Sequence, residues 1–327
     1  MRLRRMALLA LAWLLTGMCA LAETPVLIDQ MDDYRQTVCD SLGEAGLSEC
    51  RWLVADGDEQ AQRRQFDEVL AQHPGVILLN PVSTEDVSDM LRLAAEQGVP
   101  VVLFNREPQD LSVLTACGDR AVYVGTRTEQ AGALQGEAIA KLVDEHPEYD
   151  RNGDGVIQYV VLVGEVGNRD AEGRTQGCLA TLAELGVAME PAAEDCVCDW
   201  DGWKAQQAVQ QLLTDGAYVE MIISNNDTMA VGAVEALNDF GVNFVGGAYY
   251  LPVVGVDATD AAVDLIESGK MTATVRQDAE GMARAIAAIA QGMERDGLTA
   301  MEAIRRAGYE AEDSAPVVRL DYLPYEP

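Results

Sequence analysis

The 327-residue sequence predicts an α/β fold made of two doubly wound parallel-sheet lobes. Short apolar runs rich in β-branched residues alternate with amphipathic helical stretches, which is typical of a parallel sheet covered by helices. The alternation also repeats. An apolar strand ending in Asn, a helix and a Pro-Val-Val strand ending in a polar residue occur over residues 76–105 and again over 221–257. Because parallel α/β sheets bind ligands at the carboxyl ends of their strands, we expect the functional site in a cleft between the lobes.

The individual elements follow from the same alternation. In the first lobe we predict strands over residues 25–29, 52–55, 75–79, 100–104 and 121–124, with helices that include 59–72, 84–97 and 279–296. In the second lobe we predict strands over 157–164, 219–224, 251–256 and 271–275, with helices over 129–144, 171–185, 203–214, 228–240 and 259–268. The strands are short and apolar, whereas the helices have apolar positions three and four residues apart.

The chain is strongly acidic, with 54 Asp and Glu against 23 Lys and Arg and a formal net charge of −31. Most of its surface would repel phosphate backbones, which argues against nucleic-acid binding. The sequence has only two His, which argues against a His-rich metal site or a His-based catalytic triad. It also lacks a nucleophile elbow, a Walker motif and a dinucleotide-binding motif, so it indicates a binding protein and not an enzyme.

Residues 1–22 have the features of a secretory signal peptide. Basic residues precede a short apolar run, and the Ala-Leu-Ala of residues 20–22 is typical of a cleavage site. The apolar run is short for a membrane-spanning helix. The sequence therefore predicts an exported protein, periplasmic or extracellular. The alternative is a lipoprotein that carries its lipid on Cys19.

Six Cys follow the predicted cleavage site, and their pairing is open. Export permits disulfides, and an even number is compatible with three bridges. The alternative is that these residues are small apolar side chains of a core. Their spacing does not choose between the two. The six are Cys39, Cys50, Cys117, Cys178, Cys196 and Cys198.

Residues 150–158 carry the pattern of a calcium-binding loop. Oxygen side chains stand at loop positions 1, 3, 5 and 9, Gly stands at position 6, and position 7 needs only its backbone carbonyl. An EF-hand would have a bidentate Glu at position 12, but Val161 stands there inside an apolar strand. A carboxylate from another strand of the same lobe, Glu220, is the candidate to replace it. We predict that Ca²⁺ is bound, against the alternative of a plain Asp/Gly turn, by Asp150, Asn152, Asp154, the carbonyl of Val156, Gln158 and Glu220.

Polar residues at the ends of strands are candidates for the cleft. Asn105, Asn226 and Asp257 each follow an apolar strand, where they could bond a small polar molecule. The alternative is that they cap helices. For Asp227 we favour capping, because a helix is predicted to begin at residue 228. For Asn105 and Asp257 the spacing supports both interpretations.

Two further features suggest contacts with a polyhydroxylated ring. Asp170 and Arg174 are four residues apart and share a helix face, either as a surface ion pair or as a pair directed at the cleft. In the cleft, the guanidinium would donate to vicinal hydroxyls and the carboxylate would accept from them. Trp200 and Tyr34 are aromatic candidates for covering the apolar face of a pyranose, in a chain that is only 6% aromatic.

Taken together, these segments resemble the periplasmic glucose/galactose-binding proteins, which serve sugar ABC transporters and have the type I periplasmic-binding-protein fold. The resemblance covers nearly all of residues 25–322. It is carried by the loop 150–158, the segment 164–175, Trp200-Asp201, Glu220, the segment 225–237 and Gly255-Val256-Asp257.

The resemblance implies site residues. The sugar would meet Asp33, Asn105, Asp170, Arg174, Asn226 and Asp257, with Trp200 on one face, and calcium would take the ligands given above. Three positions depart from the family pattern. Asn168 replaces a cleft His, Gln277 replaces an Asn, and Tyr34 or Arg35 stands where a second stacking Phe is expected. Altered contacts of this kind can change which sugar binds.

The resemblance also implies a three-stranded hinge near Thr126, Arg276 and Asp313. The expected division is a signal peptide over 1–22, a first lobe over 23–126 plus 277–312, and a second lobe with the calcium loop over 127–276 plus 313–327. The expected function is delivery of a monosaccharide, glucose or galactose as first guess, by a monomer to an ABC permease. The alternative is a sensor that signals to a chemoreceptor or sensor kinase. A sugar-responsive transcription regulator is disfavoured by the acidic charge and the signal peptide.

Overall fold

Two separate parallel sheets form the centres of the two lobes in the computed structural model, which describes residues 24–28, 32–47, 50–84, 87–244, 249–312 and 315–325. The predicted signal peptide and Cys19 lie outside this part of the chain. The strands are β1 (Thr24–Ile28), β2 (Cys50–Val54), β3 (Ile77–Leu79), β4 (Val101–Phe104), β5 (Ala121–Thr126), β6 (Ile157–Val163), β7 (Met189–Pro191), β8 (Cys196–Val197), β9 (Met221–Ser224), β10 (Val253–Val254), β11 (Val275–Arg276), β12 (Val317–Leu320) and β13 (Leu323–Pro324).

Helices connect almost every pair of successive parallel strands. They are α1 (Asp32–Glu44), α2 (Glu59–Leu70), α3 (Val87–Glu96), α4 (Ser112–Ala116), α5 (Thr128–Glu145), α6 (Arg169–Glu184), α7 (Gly202–Thr214), α8 (Asp227–Asp239), α9 (Asp260–Glu267), α10 (Ala279–Arg295) and α11 (Ala300–Arg306), with a 3₁₀ turn at Pro147–Tyr149. Side-chain caps define several helix starts, since Asp58, Asp201, Thr259 and Asp278 each accept a bond from the first turn that follows.

The first sheet has the strand order β12-β5-β4-β3-β1-β2, and all of its pairs are parallel. Apolar clusters cover both of its faces. One contains Val26, Val102 and Ile286, and the other contains Leu27, Phe66 and Leu103. Consecutive residues of one strand lie in opposite clusters because side chains alternate across a strand. A sheet buried on both faces explains why its strands are continuously apolar.

The second sheet is built around β6 and β9 and has the order β10-β9-β6-β7. β7 pairs with the first half of β6, and β8 pairs with its carboxyl-terminal end. Its two faces are also buried, by clusters that include Leu162 and Val234 on one side and Val161 and Leu182 on the other. The predicted α/β fold with two parallel-sheet lobes is thereby confirmed.

The chain passes between the lobes after β5, after β11 and again near its carboxyl end. The first two passages coincide with Thr126 and Arg276, whereas Asp313 lies outside the described residues. The structure differs from the predicted division over residues 313–327. The apolar strand β12 pairs with β5 and so extends the first sheet, and only β13 pairs with β11 of the second lobe. Within the described residues, no helix has the length and apolar character needed to cross a membrane.

Candidate functional site

The centre of the candidate site is the buried guanidinium of Arg174, which lies on α6. Its Nη1 donates to the carbonyl of Asn225 at 2.6 Å, and its Nη2 donates to the hydroxyl of Tyr322 at 2.8 Å. The same Nη2 lies 3.2 Å from Oδ1 of Asp257. The indole ring of Trp200 has its centroid 5.7 Å from the guanidinium carbon, within the range of a cation–π contact.

Two buried polar atoms of this cluster have no hydrogen-bond partner. They are Nε of Arg174 and Oδ1 of Asp257, which lies close to the guanidinium but outside hydrogen-bonding alignment. Buried polar groups without a partner are costly, at about 1–3 kcal/mol each. The cluster therefore offers one donor and one acceptor to a further molecule.

Asp257 has an unusual electrostatic environment. Burial raises the pKa of its carboxyl to about 7, the positive charge of Arg174 opposes the shift, and the nearby carboxylate of Asp227 adds to it. Burial also raises the pKa of Asp227 to about 6, although the hydroxyl of Thr274 and the backbone N–H of Thr259 donate to its carboxylate. Perturbed carboxyl groups of this kind concentrate at functional sites.

Asp170 lies in the first turn of α6, one turn before Arg174. Burial raises the pKa of its carboxyl, and the charge of Arg174 opposes that shift. Arg174 itself is only 6% exposed. The interpretation of Asp170 and Arg174 as a surface ion pair is therefore wrong, because the arginine is directed inward at the lobe interface.

Trp200 reaches Arg174 because the residue that follows β6 is glycine. A Cβ at Gly164 would lie 2.3 Å from Cε2 and Cζ2 of the indole, so a larger residue would displace the ring. Trp200 also adopts a φ of 61°, which is uncommon for a bulky residue. Asn105 and Asp257 have φ angles of 63° and 125°. Strained backbone often marks ligand sites, and here it coincides with three predicted site residues.

The two interpretations of the strand-end residues are resolved by the helix caps. Asn226 caps α8 by accepting from the N–H of Met229 at 3.0 Å, so the assignment of that cap to Asp227 is wrong by one residue. Asp227 is the first residue of α8, and its buried carboxylate bonds Thr274 instead. Asp257 is not a cap either, because Thr259 caps α9.

Asn105 lies in the first lobe, at the carboxyl end of β4, and caps no helix since α4 begins only at Ser112. Its carbonyl accepts from the hydroxyl of Tyr123 at 2.7 Å. The next residue, Arg106, reaches Glu165 of the second lobe at 3.3 Å. This contact places the segment after β4 against the segment that leads into α6.

Asn168 and Gln277 are the two described positions that depart from the family pattern. Asn168 caps α6 through Oδ1, and its amide nitrogen donates to Glu165 at 3.0 Å. Gln277 donates its backbone N–H to the carbonyl of Asp257 at 3.1 Å. Asp33 and Tyr34 belong to the first turn of α1, directly after the carboxyl end of β1, but their side chains lie outside the described part of the structure.

Sequence reasoning did not find Tyr322. Its hydroxyl accepts from Arg174 at 2.8 Å and from Oγ1 of Thr126 at 3.0 Å, and its backbone N–H donates to Gln130. Tyr322 thus ties the hinge to the arginine. No periodic pattern precedes it in the sequence, so only the pairing of β12 and β13 brings it to this place.

A cavity of about 490 Å³ opens beside the cluster. It includes Asp170 but not Arg174, Trp200 or Asp257, and all three of its arginines already pair with Glu107 or Glu312. We therefore regard the Arg174 cluster, and not this cavity, as the candidate site. The cavity is lined by Glu107, Leu111, Thr126, Arg127, Thr128, Glu129, Gln130, Arg169, Asp170, Glu312, Ala315, Val317 and Arg319.

The predicted calcium loop is folded around its own oxygen atoms. Both carboxylate oxygens of Asp150 accept backbone N–H groups of the loop, at 2.7 Å from Gly153 and 2.8 Å from Gly155. The amide nitrogen of Asn152 lies 2.9 Å from Oδ2 of Asp154 and 3.1 Å from Oε1 of Gln158. The amide nitrogen of Asn152 therefore links the side chains of Asp154 and Gln158.

Glu220, which directly precedes β9, contacts the same loop. Its carboxylate is fully buried, with Oε1 accepting from the N–H of Arg151 at 2.6 Å and Oε2 from the N–H of Gln158 at 3.2 Å. Across the described residues, no group of three or more His, Cys, Asp or Glu is close enough to hold a metal ion. The predicted ligand set includes the three carboxylates of Asp150, Asp154 and Glu220, so these are not gathered closely enough to form such a group, and calcium binding stays a prediction.

Comparison with known proteins shows the family to which the chain belongs. A family model described as a periplasmic binding protein domain matches residues 23–318. The chain belongs to this family. It is 33% identical over 276 residues to the D-galactose/methyl-galactoside binding periplasmic protein of Haemophilus influenzae, covering 83% of this chain and 78% of that protein. It is 29% identical over 261 residues to a putative rhizopine-binding protein of Rhizobium meliloti, covering 79% and 76%.

Solved structures agree on the fold. The Caulobacter myo-inositol binding protein, bound to myo-inositol, superposes with a TM-score of 0.73 at 20% identity, with 95% of each chain covered. A solute binding protein of Actinobacillus succinogenes with bound D-allose gives a TM-score of 0.71 at 19% identity, covering 93% of this chain and 97% of that one. The resemblance predicted from the sequence is confirmed, and this member of the periplasmic binding protein family is a binding protein and not an enzyme.

Proposed function

We propose that the protein binds a monosaccharide, glucose- or galactose-like, between its lobes and delivers it to an ABC transporter permease. The observation that carries the proposal is the pair of unpartnered buried atoms, Nε of Arg174 and Oδ1 of Asp257. A sugar presents hydroxyl groups that both donate and accept, so one ligand can satisfy both atoms. Burying the ligand as the lobes close would add to its affinity.

Each neighbour has a role in this proposal. The guanidinium of Arg174 donates to ring hydroxyls, and the carboxylates of Asp170 and Asp257 accept from them. The indole of Trp200 covers an apolar face of the ring. Asn105 and Gln277 bring amide groups, whereas Oδ1 of Asn226 is used by the cap of α8.

The relatives support a small polyol as the ligand. Their names specify D-galactose or methyl-galactoside in the Haemophilus protein, myo-inositol in the Caulobacter structure and D-allose in the Actinobacillus structure. All three are polyhydroxylated rings. The replacement of the family's cleft His by Asn168, whose Oδ1 is already used as a cap, supports a contact set different from that of the galactose binders.

We also propose that Asp150, Asn152, Asp154, the carbonyl of Val156, Gln158 and Glu220 hold Ca²⁺. The ion would supply positive charge to a loop and a strand end that carry three carboxylates. The family further implies export, which agrees with the predicted signal peptide. Signalling to a membrane chemoreceptor stays an alternative use of the same cleft.

Calorimetric titration of the mature protein with D-galactose, D-glucose, D-ribose, D-allose and myo-inositol tests the sugar proposal. We expect saturable binding of at least one of them. Arg174→Lys should weaken that binding about tenfold or more, because Lys retains the charge but not the guanidinium fork. The matched control is Arg284→Lys, which changes an exposed arginine of α10. Absence of heat with every sugar would contradict the proposal.

A further inference from the structure

Two thiols of the first lobe meet between α1 and β2. Cys50 begins β2, and Trp52 stands two residues further on the same face of the strand. The indole N–H of Trp52 donates to Sγ of Cys39 on α1 at 2.9 Å. Both thiols are free, and Cys39 is close enough to help raise the pKa of the Cys50 thiol, after the larger effect of burial. The helix therefore carries one thiol to the place where the strand carries the other.

The surrounding packing holds the two thiols in this position. Val38 and Leu42 of α1 are fully buried in the apolar cluster that covers this face of the first sheet, and Cys50 and Trp52 pack against the same cluster. Neighbouring side chains on both sides of Cys39 and Cys50 are thus fixed by core contacts.

The other described cysteines are placed differently. Sγ of Cys198 is directed at the backbone carbonyl of Cys196, at 3.2 Å, and only one residue separates these two cysteines. Cys178 is fully buried, and burial alone raises the pKa of its thiol to about 12. Cys117 lies near Arg92, on the opposite face of the first sheet from Cys50.

We propose that Cys39 and Cys50 form a disulfide that joins α1 to β2 in the exported protein. Export, which the family implies, takes the chain to an oxidising compartment where such bonds persist. The bond would close a short loop between neighbouring elements. It would also restrain α1, whose first turn contains the predicted sugar residues Asp33 and Tyr34, against the sheet.

The reaction requires an oxidant, for which we take a small-molecule disulfide such as oxidised glutathione. The thiolate of Cys39 attacks one glutathione sulfur, and the first glutathione thiolate leaves. The thiolate of Cys50 then attacks the Cys39 sulfur of the mixed disulfide, and the second glutathione leaves. Two thiols lose two protons and two electrons, and the glutathione disulfide accepts them. Burial, together with Cys39, raises the pKa of Cys50, so the closing step accelerates as the pH rises.

Peptide mapping of the mature protein, alkylated without reduction after incubation with oxidised glutathione, tests the proposal. We expect a linked peptide pair that contains Cys39 and Cys50, with the loss of two titratable thiols. Cys50→Ser should abolish the link, whereas the control Cys117→Ser should retain it. Reduction should lower the melting temperature by about 5 °C in the wild type and in Cys117→Ser, but not in Cys39→Ser/Cys50→Ser.

Three outcomes would overturn the proposal. They are full alkylation of both thiols after oxidation, glutathione retained on Cys39 without closure, and a link between another pair of cysteines. The measurement is independent of sugar binding, so a protein that binds no sugar could still form the disulfide, and the reverse also holds.

Discussion

The Arg174 cluster and the loop over residues 150–158 are both rich in charge, yet they satisfy their polar atoms in opposite ways. Arg174 and Asp257 are held in place by the fold and still leave a buried donor and a buried acceptor unpartnered. In the loop, Asp150, Asp154 and Glu220 accept N–H groups from the loop's own backbone. The cluster needs a further molecule to complete its bonding, whereas the loop satisfies these oxygen atoms with its own backbone.

This difference determines how strongly an amino-acid substitution at each site should lower stability. A buried charge cluster loses much when one member is removed, because the remaining charges stay buried without compensation. An exposed loop can rearrange, and water can replace a lost bond. We therefore expect substitutions in the cluster to lower the free energy of unfolding more than substitutions in the loop.

Replacing Arg174 by Met should give the largest effect. The substitution leaves Asp170 and Asp257 without their positive neighbour and removes the donors to Asn225 and Tyr322. We expect the free energy of unfolding to fall by about 3 kcal/mol, as for other broken buried ion pairs. Urea denaturation checks this, with Arg284→Met on the exposed face of α10 as the control. Equal stability of the two variants would show that the cluster is not a buried charge site.

The pH dependence of stability should report the same cluster. Burial raises the pKa of Asp257 from an ordinary 3.8 to about 7 and that of Asp227 from 3.8 to about 6. At a pH between the unfolded pKa of 3.8 and the raised folded pKa, each carboxyl is protonated in the folded protein and ionised in the unfolded chain. Stability should therefore fall as the pH rises from about 4 to about 7, by up to about 1.4 kcal/mol per pH unit for each group.

Two variants separate these contributions. Asp257→Asn should remove its contribution up to about pH 7, and Asp227→Asn should remove only a contribution that ends near pH 6. Urea denaturation of both variants at several pH values provides the measurement. A stability profile for Asp257→Asn that parallels the wild type would contradict the assignment.

The sequence predicted the parts of the molecule that depend on local pattern. Continuous apolar runs such as residues 100–104 identified most strands, and the oxygen spacing of residues 150–158 identified the loop. The short strands β7, β8, β12 and β13 were not predicted, and residues 313–327, which include β12, were assigned to the second lobe. A strand's lobe is decided by its pairing partner, here β5, and that information is not local.

The site was predicted less completely than the fold for the same reason. The spacing of Asp170 and Arg174 placed them on one helix face, but it could not show whether that face is exposed to solvent or buried. Tyr322, which contacts Arg174 across 148 positions of sequence, gave no signal at all. The cap of α8 was misplaced by one residue because Asn226 and Asp227 are both good caps, and tertiary bonds to Thr274 and Thr259 engage Asp227.

Removing calcium should have a smaller effect than removing Arg174. If the loop binds the ion with saturating calcium at about 100 times its dissociation constant, the ion adds about 2.7 kcal/mol to stability. A chelator should then lower the melting temperature by about 5 °C. Glu220→Gln should reduce this response, whereas Glu190→Gln, an exposed residue of β7, should not. A melting temperature that is unchanged by chelator would contradict the calcium proposal.

The smallest predicted effect concerns the ion pair between Arg169, next to the Arg174 cluster, and Glu107 of the first lobe. Arg169, beside Asp170, lies 2.9 Å from Glu107 across the cleft, and Glu107 also pairs with Arg319 at 2.8 Å. Arg169→Gln removes a half-exposed charge but leaves Glu107 paired. We expect sugar affinity to fall only about two- to threefold, with a weaker dependence on salt. Calorimetry at low and high salt measures both, and Arg284→Gln is the control. A loss as large as that of Arg174→Lys would mean that closure of the lobes, and not the unpartnered atoms of the cluster, dominates the affinity.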